Sequence, residues 1–431
     1  MKKLIQFKLK VIARLIVKKY KPQIIGITGS VGKTSAKEAV YTVLSSKFKT
    51  RESSKNYNNE FGLPLTIIGS DSPGKNIFGW MVVMLKGLSL ILFKNKNYPE
   101  VLVLEMGVDR KGDMDYLNSI VKCNVGVVTI VSGSHLENFN NISEIEKEKG
   151  MLIENLDNQG WAILNMDNER SYNIRHRSKA KVLTYGFKNN ALLKAQELNF
   201  NFFSKDNNFD VDDLFGINFK LNHNGSIVPV TLPKVIGYQS IYAALVGAAV
   251  GIIYKMNLID ISQSLRNLKS PKGRMNLIKG IKNTMIIDDT YNSSPESSIM
   301  ALNVIEKLKV ERGRKIAVLG DMLELGSYSE EGHKKVGKEC VKAGIERLII
   351  VGEKSRDIGN GAQIEGLGRD NIFHFDTSEE AGKFVQEEMK EFDVVFVKGS
   401  QGARMEKVVE EIMADPLSAK DLLVRQGKGW E

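Results

Sequence analysis

Residues 23–34 read QIIGITGSVGKT, a short run rich in β-branched residues that leads directly into a glycine-containing turn. The pattern predicts a strand from Gln23 to Thr28, a phosphate-binding loop, and a helix from about Ser35 to Ser46. In such a loop the glycines let backbone N–H groups approach phosphate oxygens, the lysine reaches the β- and γ-phosphates, and the threonine hydroxyl can bind Mg²⁺. The predicted ATP-binding residues are Gly29, Ser30, Val31, Gly32, Lys33, Thr34 and Ser35.

Strands and helices alternate along most of the chain. Apolar runs at 101–105 and 125–131, each between helical stretches, predict a parallel sheet covered on both faces. Short alternating runs within 182–235, separated by Asn and Gly, predict antiparallel hairpins. After a hinge near Pro271, further strands are predicted at 284–288, 315–319, 347–351 and 393–397. We expect an α/β protein in which residues 23–270 form a P-loop, parallel-sheet ATP-binding domain with a small antiparallel insertion, followed by a Rossmann-like α/β domain at 271–431.

The first 22 residues have a different pattern. They are basic, and a helical arrangement places Ile5, Leu9, Ile12 and Ile16 on one side. This predicts an amphipathic helix that either caps the following domain or adheres to an anionic membrane surface.

An apolar helical insertion is predicted at 75–97. Its central run, 77–93, contains Lys86 as its only charge and is interrupted by Gly79 and Gly87. The run is slightly short for a membrane span of about 20 residues. We favour an apolar helix pair that packs on the N-terminal helix or rests on a membrane, with a true span as the remaining alternative.

Composition limits the classes of function. Of the formal net charge of +10, residues 1–22 contribute eight Lys and Arg and no acid, so the positive charge is local. A nucleic-acid-binding protein spreads basic residues over a folded face and interleaves aromatic ones, so we expect no nucleic-acid partner. Cys123 and Cys340 form no CxxC pair, which argues against disulfides and structural zinc. Because no signal peptide is evident, we expect a cytoplasmic protein, with membrane contact through 1–22 and 77–93 left open.

Three further residues stand near the predicted edge of the sheet. Glu105 ends an apolar strand, where it could hold the metal of a nucleotide, although an acid there is more often a solvated terminus. His135 follows a strand at the same edge, and an isolated histidine is usually structural. Lys149 lies in the charged run EKEKGM and by itself indicates only a solvated lysine on a helix.

With these residues the chain resembles the Mur ligases, which add amino acids or dipeptides to the peptidoglycan precursor. That family has a shorter loop, GxxGK[ST], which accounts for Ile27 at a position where the general GxxxxGK[ST] motif has glycine. The resemblance extends over about residues 23–415 and is strongest to the members that add D-alanyl-D-alanine. The matching blocks are NYNNEFGLPLT at 56–66, LEMGVDRKGDM at 104–114, SHLENF at 134–139, KGRMNLI at 272–278, IIDDTYNSSPES at 286–297, VLGDMLELG at 318–326 and VKGSQGARMEKVV at 397–409.

The resemblance implies an ATP-dependent ligase that works through an acyl phosphate. Lys33 and Thr34 would hold the triphosphate and a first Mg²⁺, with Glu105 as a further ligand of that ion. His135 would bind a second Mg²⁺, and Lys149 matches the lysine that family members carbamylate with CO₂. The remaining implied contacts are to the nucleotide for Arg274, Asp289 and Asn292, to the substrate for Asn58 and Asn59, and to the dipeptide for Lys398 and Ser400.

The implied substrates are a muramoyl-tripeptide precursor and D-alanyl-D-alanine, bound by a monomer that closes about the hinge near Pro271. Typical members carry a domain before the phosphate loop that binds the UDP-sugar end, whereas 28 residues precede Gly29 here, so we expect this chain to lack it. Ala243 stands where the family often has an asparagine that helps to recognise adenine.

Two alternatives stay open. A related ligase could add another amino acid to a different acceptor, or a nucleotide-binding, membrane-associated scaffold could keep the fold without turnover. The joint presence of Lys33, Glu105, His135 and Lys149 favours an enzyme, since a scaffold needs no second metal.

Overall fold

The computed structural model describes residues 2–54, 57–133, 136–201, 216–233, 235–310 and 312–427. The chain divides into two compact units. The first contains residues 1–197, 219–230 and 241–268, and the second contains residues 198–218, 231–240 and 269–431. Within the described residues there are two sheets, one of nine strands and one of six.

The nine-stranded sheet and its helices occupy the chain up to Leu265. In chain order the elements are α1 (Lys2–Tyr20), β1 (Gln23–Thr28), α2 (Lys33–Ser45), β2 (Thr50–Glu52), α3 (Gly62–Ile68), α4 (Ile77–Leu92), β3 (Val101–Glu105), α5 (Asp113–Asn118), β4 (Val125–Val128), α6 (Ile142–Glu154), β5 (Trp161–Asn165), α7 (Glu169–Asn173), β6 (Lys181–Gly186), β7 (Leu193–Asn201), β8 (Gly216–His223), β9 (Ser226–Leu232), α8 (Tyr238–Ile253) and α9 (Leu258–Leu265).

Strand β1 lies inside the first sheet, whose order is β2-β3-β1-β4-β5-β6-β7-β8-β9. Neighbouring strands from β2 to β7 are parallel. After its first residue β1 is buried throughout, which explains its continuous apolar sequence. Ile27 is in register with Glu105, so the phosphate loop and this carboxylate emerge at the same edge. The predicted P-loop parallel sheet is confirmed.

The range 182–235 differs in part from the predicted antiparallel hairpins. Strand β6 runs parallel to β5, and β7 begins parallel to β6. The connection from β5 to β6 consists of α7 and a short 3₁₀ turn. Both are too short to show a helical hydrophobic period, so the sequence does not reveal that this connection joins two parallel strands. Strands β8 and β9 are neighbours joined by Asn224 and Gly225 alone, and so short a link requires an antiparallel pair. Residues 202–215 and 234 lie outside the described part of this range.

Helix α1 buries one apolar face against the first unit. Leu9, Ile12, Ala13 and Ile16 are buried, so the face identified from the sequence packs on protein. This observation agrees with the capping alternative for residues 1–22.

The apolar insertion is a single helix, α4, and the predicted helix pair is wrong. Gly87 lies inside this helix and does not interrupt it. The absence of a side chain there lets α4 approach α1 closely, since a Cβ at this position would lie 2.5 Å from Ile12 Cγ2 of α1. Lys19 Nζ also donates to the carbonyl oxygens of Leu90 and Ile91, over 3.0 and 2.8 Å. Among the described residues, no helix has both the length and the apolar character needed to cross a bilayer.

The second sheet has the order β10-β11-β15-β12-β13-β14. Strand β10 is antiparallel to β11 and the other pairs are parallel, as expected for a Rossmann-like sheet with one added edge strand. The elements of this part are β10 (Asn276–Gly280), β11 (Thr284–Asp289), α10 (Pro295–Lys307), β12 (Lys315–Gly320), α11 (Ser329–Lys342), β13 (Arg347–Val351), α12 (Arg356–Ile364), β14 (Ile372–Phe375), α13 (Ser378–Glu388), β15 (Val394–Lys398), α14 (Glu406–Ile412) and α15 (Ala419–Leu422).

The close approach of α1 and α4 predicts that Gly87→Val destabilises the protein. The added side chain must displace Ile12, and overpacking of this kind costs about 1–3 kcal/mol. We expect a lower free energy of unfolding in urea, with unfolding monitored by circular dichroism. The matched control is Ser89→Val, which places the same side chain at an exposed position of the same helix. Equal losses in the two variants would contradict the proposed packing.

Candidate functional site

The phosphate loop lies between β1 and α2. Gly29 and Gly32 have φ angles of 147° and 88°, which residues with side chains rarely adopt. A Cβ at Gly29 would also lie 1.9 Å from Thr129 Oγ1. Because α2 begins at Lys33, the positive end of its dipole lies at the loop. The local geometry is that of an anion-binding loop.

The segment that follows β4 supports this loop. Thr129 Oγ1 donates to Val31 O over 2.7 Å. Ser30 Oγ donates to Ser132 O over 3.0 Å and accepts a hydrogen bond from Ser132 N over 3.1 Å. Sequence reasoning missed Thr129 and Ser132, because their contact with the loop arises only from the pairing of β4 with β1.

Glu105 joins the phosphate loop to a neighbouring turn. Thr34 Oγ1 donates to Glu105 Oε2 over 3.0 Å, and Asn58 Nδ2 donates to Glu105 Oε1 over 3.1 Å. The glutamate is 4% exposed, so it is not the solvated strand terminus that residue statistics favour. Thr34 and Glu105, predicted to hold a metal ion, and Asn58, which the resemblance assigns to the substrate, therefore meet at one point.

Lys37 adds a buried cation that sequence reasoning missed. It lies one turn beyond the loop on α2, and its Nζ donates to Ser53 O over 2.5 Å. Ser53 Oγ in turn accepts a hydrogen bond from Glu105 N over 3.2 Å. Although burial opposes the charged form, the carboxylates of Glu52 and Glu38 raise the pKa of the Lys37 ammonium above its usual value. The backbone of Glu105 is thus tied through Ser53 to a stable positive charge.

Lys149 is buried on α6 and is only 1% exposed. The interpretation as a solvated lysine is therefore wrong, because tertiary packing covers this side of a helix whose sequence is highly charged. Burial, followed by the positive charge of Lys33, lowers the pKa of Lys149 to about 7. Within the described residues, no hydrogen bond or ion pair reaches its Nζ.

The sequence also assigns His135 and Asn59 to this site. His135 lies outside the described residues. Asn59 is described, and its Oδ1 accepts hydrogen bonds from Phe61 N over 3.1 Å and Gly62 N over 3.0 Å. This oxygen supports the start of α3.

A second polar cluster lies at the carboxyl end of β11 and β15 in the second unit. Lys398 Nζ donates to Asp289 Oδ2 over 2.7 Å and to Asn292 O over 2.8 Å. Both charged side chains are 1% exposed. Asp289 Oδ1 and Asp288 Oδ2 are buried without a hydrogen-bond partner among the described residues, and burial raises the pKa of Asp288 to about 6.

The other predicted residues of this unit border the same cluster. The Arg274 guanidinium lies over the Tyr291 ring, 4.2 Å from its centroid. Ser400 Oγ accepts a hydrogen bond from Leu323 N over 2.8 Å and so links the ends of β15 and β12. Sequence reasoning missed Arg425, which donates to Thr290 O over 2.5 Å and to Tyr291 O over 3.1 Å and so fixes the turn after β11.

Two family models match this chain: the Mur ligase middle domain over residues 85–251, and the Mur ligase glutamate ligase domain over residues 273–401. The chain belongs to the Mur ligase family. It is 26% identical to the UDP-N-acetylmuramoyl-tripeptide--D-alanyl-D-alanine ligase of Bacillus subtilis strain 168, over 94% of this chain and 79% of that ligase. The resemblance inferred from the sequence is confirmed.

Solved structures of Mur ligases have the same fold. MurF from Acinetobacter baumannii matches with a TM-score of 0.77 at 24% identity, covering 95% of this chain and 81% of that one. MurF from Thermotoga maritima in complex with ADP matches with a TM-score of 0.73 at 23% identity, covering 94% and 83%.

The donors at the phosphate loop of this Mur ligase fit Mg²⁺. The Thr34 hydroxyl and the Glu105 carboxylate supply oxygen, which this ion prefers. In the part of the chain that the structure describes, no group of three or more His, Cys, Asp and Glu side chains is arranged to hold a metal ion. Mg²⁺ in nucleotide sites is commonly held by one or two protein oxygens together with phosphates and water, which the two donors at this loop can supply.

The buried pair in the second unit predicts that Lys398→Met strongly destabilises this Mur ligase. The Asp289 carboxylate would stay buried without its cation, and breaking such a pair costs about 3–5 kcal/mol. We expect the free energy of unfolding of the second unit in urea to fall by this amount, with unfolding monitored by limited proteolysis. The matched variant is Lys398→Met with Asp289→Asn, which removes both charges and should lose less stability. An equal or larger loss in the double variant would contradict a charge-based cause.

Proposed function

We propose that this Mur ligase uses ATP to join a carboxylate to an amine, and that it adds D-alanyl-D-alanine to a muramoyl-tripeptide precursor in peptidoglycan synthesis. The observation that carries the proposal is the meeting of Thr34, Asn58 and Glu105 at the phosphate loop. The name of the Bacillus subtilis relative supports the choice of the two substrates.

A carboxylate is a poor electrophile and has to be activated. Its oxygen attacks the γ-phosphorus of ATP, the bond to ADP breaks, and an acyl phosphate forms. The dipeptide amine then attacks the acyl carbon and loses a proton, and phosphate leaves with the electrons of the carbon–oxygen bond. Lys33 and the N-terminus of α2 offset the negative charge on the phosphates. Mg²⁺ held by Thr34 and Glu105 would supply further neutralisation.

Asn58 and Lys37 are suited to position Glu105. Asn58 fixes one carboxylate oxygen from the side, and the other oxygen accepts the Thr34 hydroxyl. Lys37 acts on the backbone of the same residue through Ser53. With its orientation held in this way, the carboxylate needs little rearrangement to bind a metal ion. The substrate contacts of Asn58 and Asn59 stay predictions.

We also propose that Lys149 is carbamylated. A neutral amine attacks CO₂ and loses a proton, so a buried lysine with no hydrogen-bonding partner among the described residues is suited to the reaction. The product is an anion, which would replace repulsion between Lys149 and Lys33 by attraction. The second Mg²⁺, bound by the carbamate and His135, is the remaining part of this proposal.

The modification predicts a carbamate signal that depends on Lys149. With ¹³C-labelled bicarbonate we expect a carbamate resonance in the wild type and in Lys147→Ala, an exposed neighbour on α6, but not in Lys149→Ala. Because the pKa of Lys149 is lowered from 10.5 to about 7, the neutral amine gains population as the pH rises through 7. Carbamate occupancy should therefore increase between about pH 6 and pH 8. A resonance that persists in Lys149→Ala would refute the assignment.

The residues of the second unit keep their predicted roles as part of the proposal. Arg274, Asp289 and Asn292 are assigned to the nucleotide, and Lys398 and Ser400 to the dipeptide. One oxygen each of Asp288 and Asp289 is buried with no hydrogen-bond partner among the described residues, which supports a ligand here, since such atoms are costly to leave unsatisfied. The monomeric state and the cytoplasmic location stay predictions.

Phosphate release from ATP tests the function. We expect turnover with a muramoyl-tripeptide acceptor only when D-alanyl-D-alanine is present. Thr34→Val should lower turnover by about 10²-fold, the loss typical of removing one contact to developing charge. Thr42→Val on the same helix is the matched control and should keep activity. Turnover with a different amino acid would point to a related ligase, and the absence of turnover with every acceptor would favour a scaffold.

A further inference from the structure

Helix α1 has a second apolar face that is not used in packing. Leu4, Phe7, Val11 and Leu15 are exposed large hydrophobic side chains. Their spacing places them on one side of the helix, away from the buried face that includes Leu9 and Ile16. A helix that only capped the first unit would need one apolar face. The exposed stripe therefore calls for another explanation.

Helix α4 exposes a longer apolar strip next to α1. Phe78, Val82, Leu85 and Leu92 follow one side of the helix, and Phe78 and Leu92 are 76% and 72% exposed. At 1.5 Å per residue the helix is about 24 Å long. We call this strip and the exposed stripe of α1 the α1/α4 surface, since the two helices that carry them pack against each other. Exposed apolar areas of this kind mark interaction sites.

Basic residues accompany this surface. Residues 2–22 carry eight Lys and Arg, and residues 75–97 carry four lysines, with no Asp or Glu in either segment. The rest of the chain therefore sums to −2 within a formal net charge of +10. Lys75, Lys94 and Lys96 are exposed beyond the two ends of α4. Apolar side chains and cations are thus concentrated in the same two segments.

We propose that the α1/α4 surface binds to an anionic phospholipid membrane, with α4 lying in the plane of the interface. The apolar side chains would enter the boundary between headgroups and acyl chains, and the lysines would contact lipid phosphates. This combination of an apolar strip, lysines and no acid is the pattern of interfacial helices. The proposal goes beyond the ligase reaction and does not depend on it.

Charge argues against two other occupants. A second copy of this chain would bring the same basic segments, which contain no acid, together across a two-fold interface, where like charges repel. Protein interfaces in general are depleted in lysine, whereas lysine is abundant here. An anionic bilayer supplies both the apolar interior and the opposite charge.

Sedimentation of the full chain with vesicles tests the proposal. We expect binding to vesicles of phosphatidylcholine with phosphatidylglycerol, weak binding to phosphatidylcholine alone, and a loss of binding at high salt. The double variant Phe78→Ser with Leu85→Ser should bind at least about tenfold more weakly, because two apolar side chains no longer enter the interface. Lys94→Gln with Lys96→Gln should weaken binding to the anionic vesicles only.

The matched controls lie in the second unit. Ile364→Ser with Leu417→Ser removes two apolar side chains that are also well exposed, 68% and 93%, and Lys335→Gln with Lys338→Gln removes two exposed lysines. Both should bind vesicles like the wild type. All substituted side chains are exposed, so circular dichroism should show unchanged folding. Absence of vesicle binding, equal binding to neutral vesicles, or loss of a dimer in Phe78→Ser with Leu85→Ser would each overturn the proposal.

Discussion

Strand β1 is hydrogen-bonded to β3 on one side and to β4 on the other, and the first unit depends on this double pairing. Parallel strands share one carboxyl edge, so the pairing brings together three loops that are far apart in the sequence. The register between Ile27 and Glu105 sets the height of the carboxylate relative to the phosphate loop. On the opposite side the register with β4 places Thr129 against Gly29. A slip of one residue in either pair would separate these groups.

The sequence predicts the strands of both sheets well, because buried parallel strands are continuous apolar runs with clear ends. It also predicts the phosphate loop from a local motif, whereas Glu105 by itself indicates only a solvated strand end, and its role is implied by the family resemblance. The burial of Lys37 and Lys149 could not be predicted in the same way. Both lie on helices with charged sequences, and only tertiary packing decides which side is covered. Gly87 shows the same limit: a glycine that looks like a helix breaker is a point of close helix contact.

Among the described residues, three buried lysines have different surroundings. Lys37 is paired with carboxylates, and Lys398 is bonded to Asp289 and a backbone carbonyl. In both cases the surroundings compensate a buried ammonium, as burial requires. Lys149 differs, because within the described residues no hydrogen bond or ion pair reaches its Nζ, and the charges of Asp109, Glu148 and Asp113 do not offset burial and the charge of Lys33. Buried lysines with a lowered pKa cluster at functional sites, so Lys149 is a candidate for chemistry, just as Lys398 is a candidate for binding the dipeptide.

Lys33 Nζ donates to Gly29 O over 2.7 Å within the phosphate loop itself. An ammonium carries three N–H groups, and this bond uses one of them to hold the side chain back over the loop. The charged group is therefore positioned before a ligand arrives, so less side-chain entropy is lost when an anion binds. A polyphosphate gains most from such a loop, because its several oxygens can engage the backbone amides and the lysine at the same time.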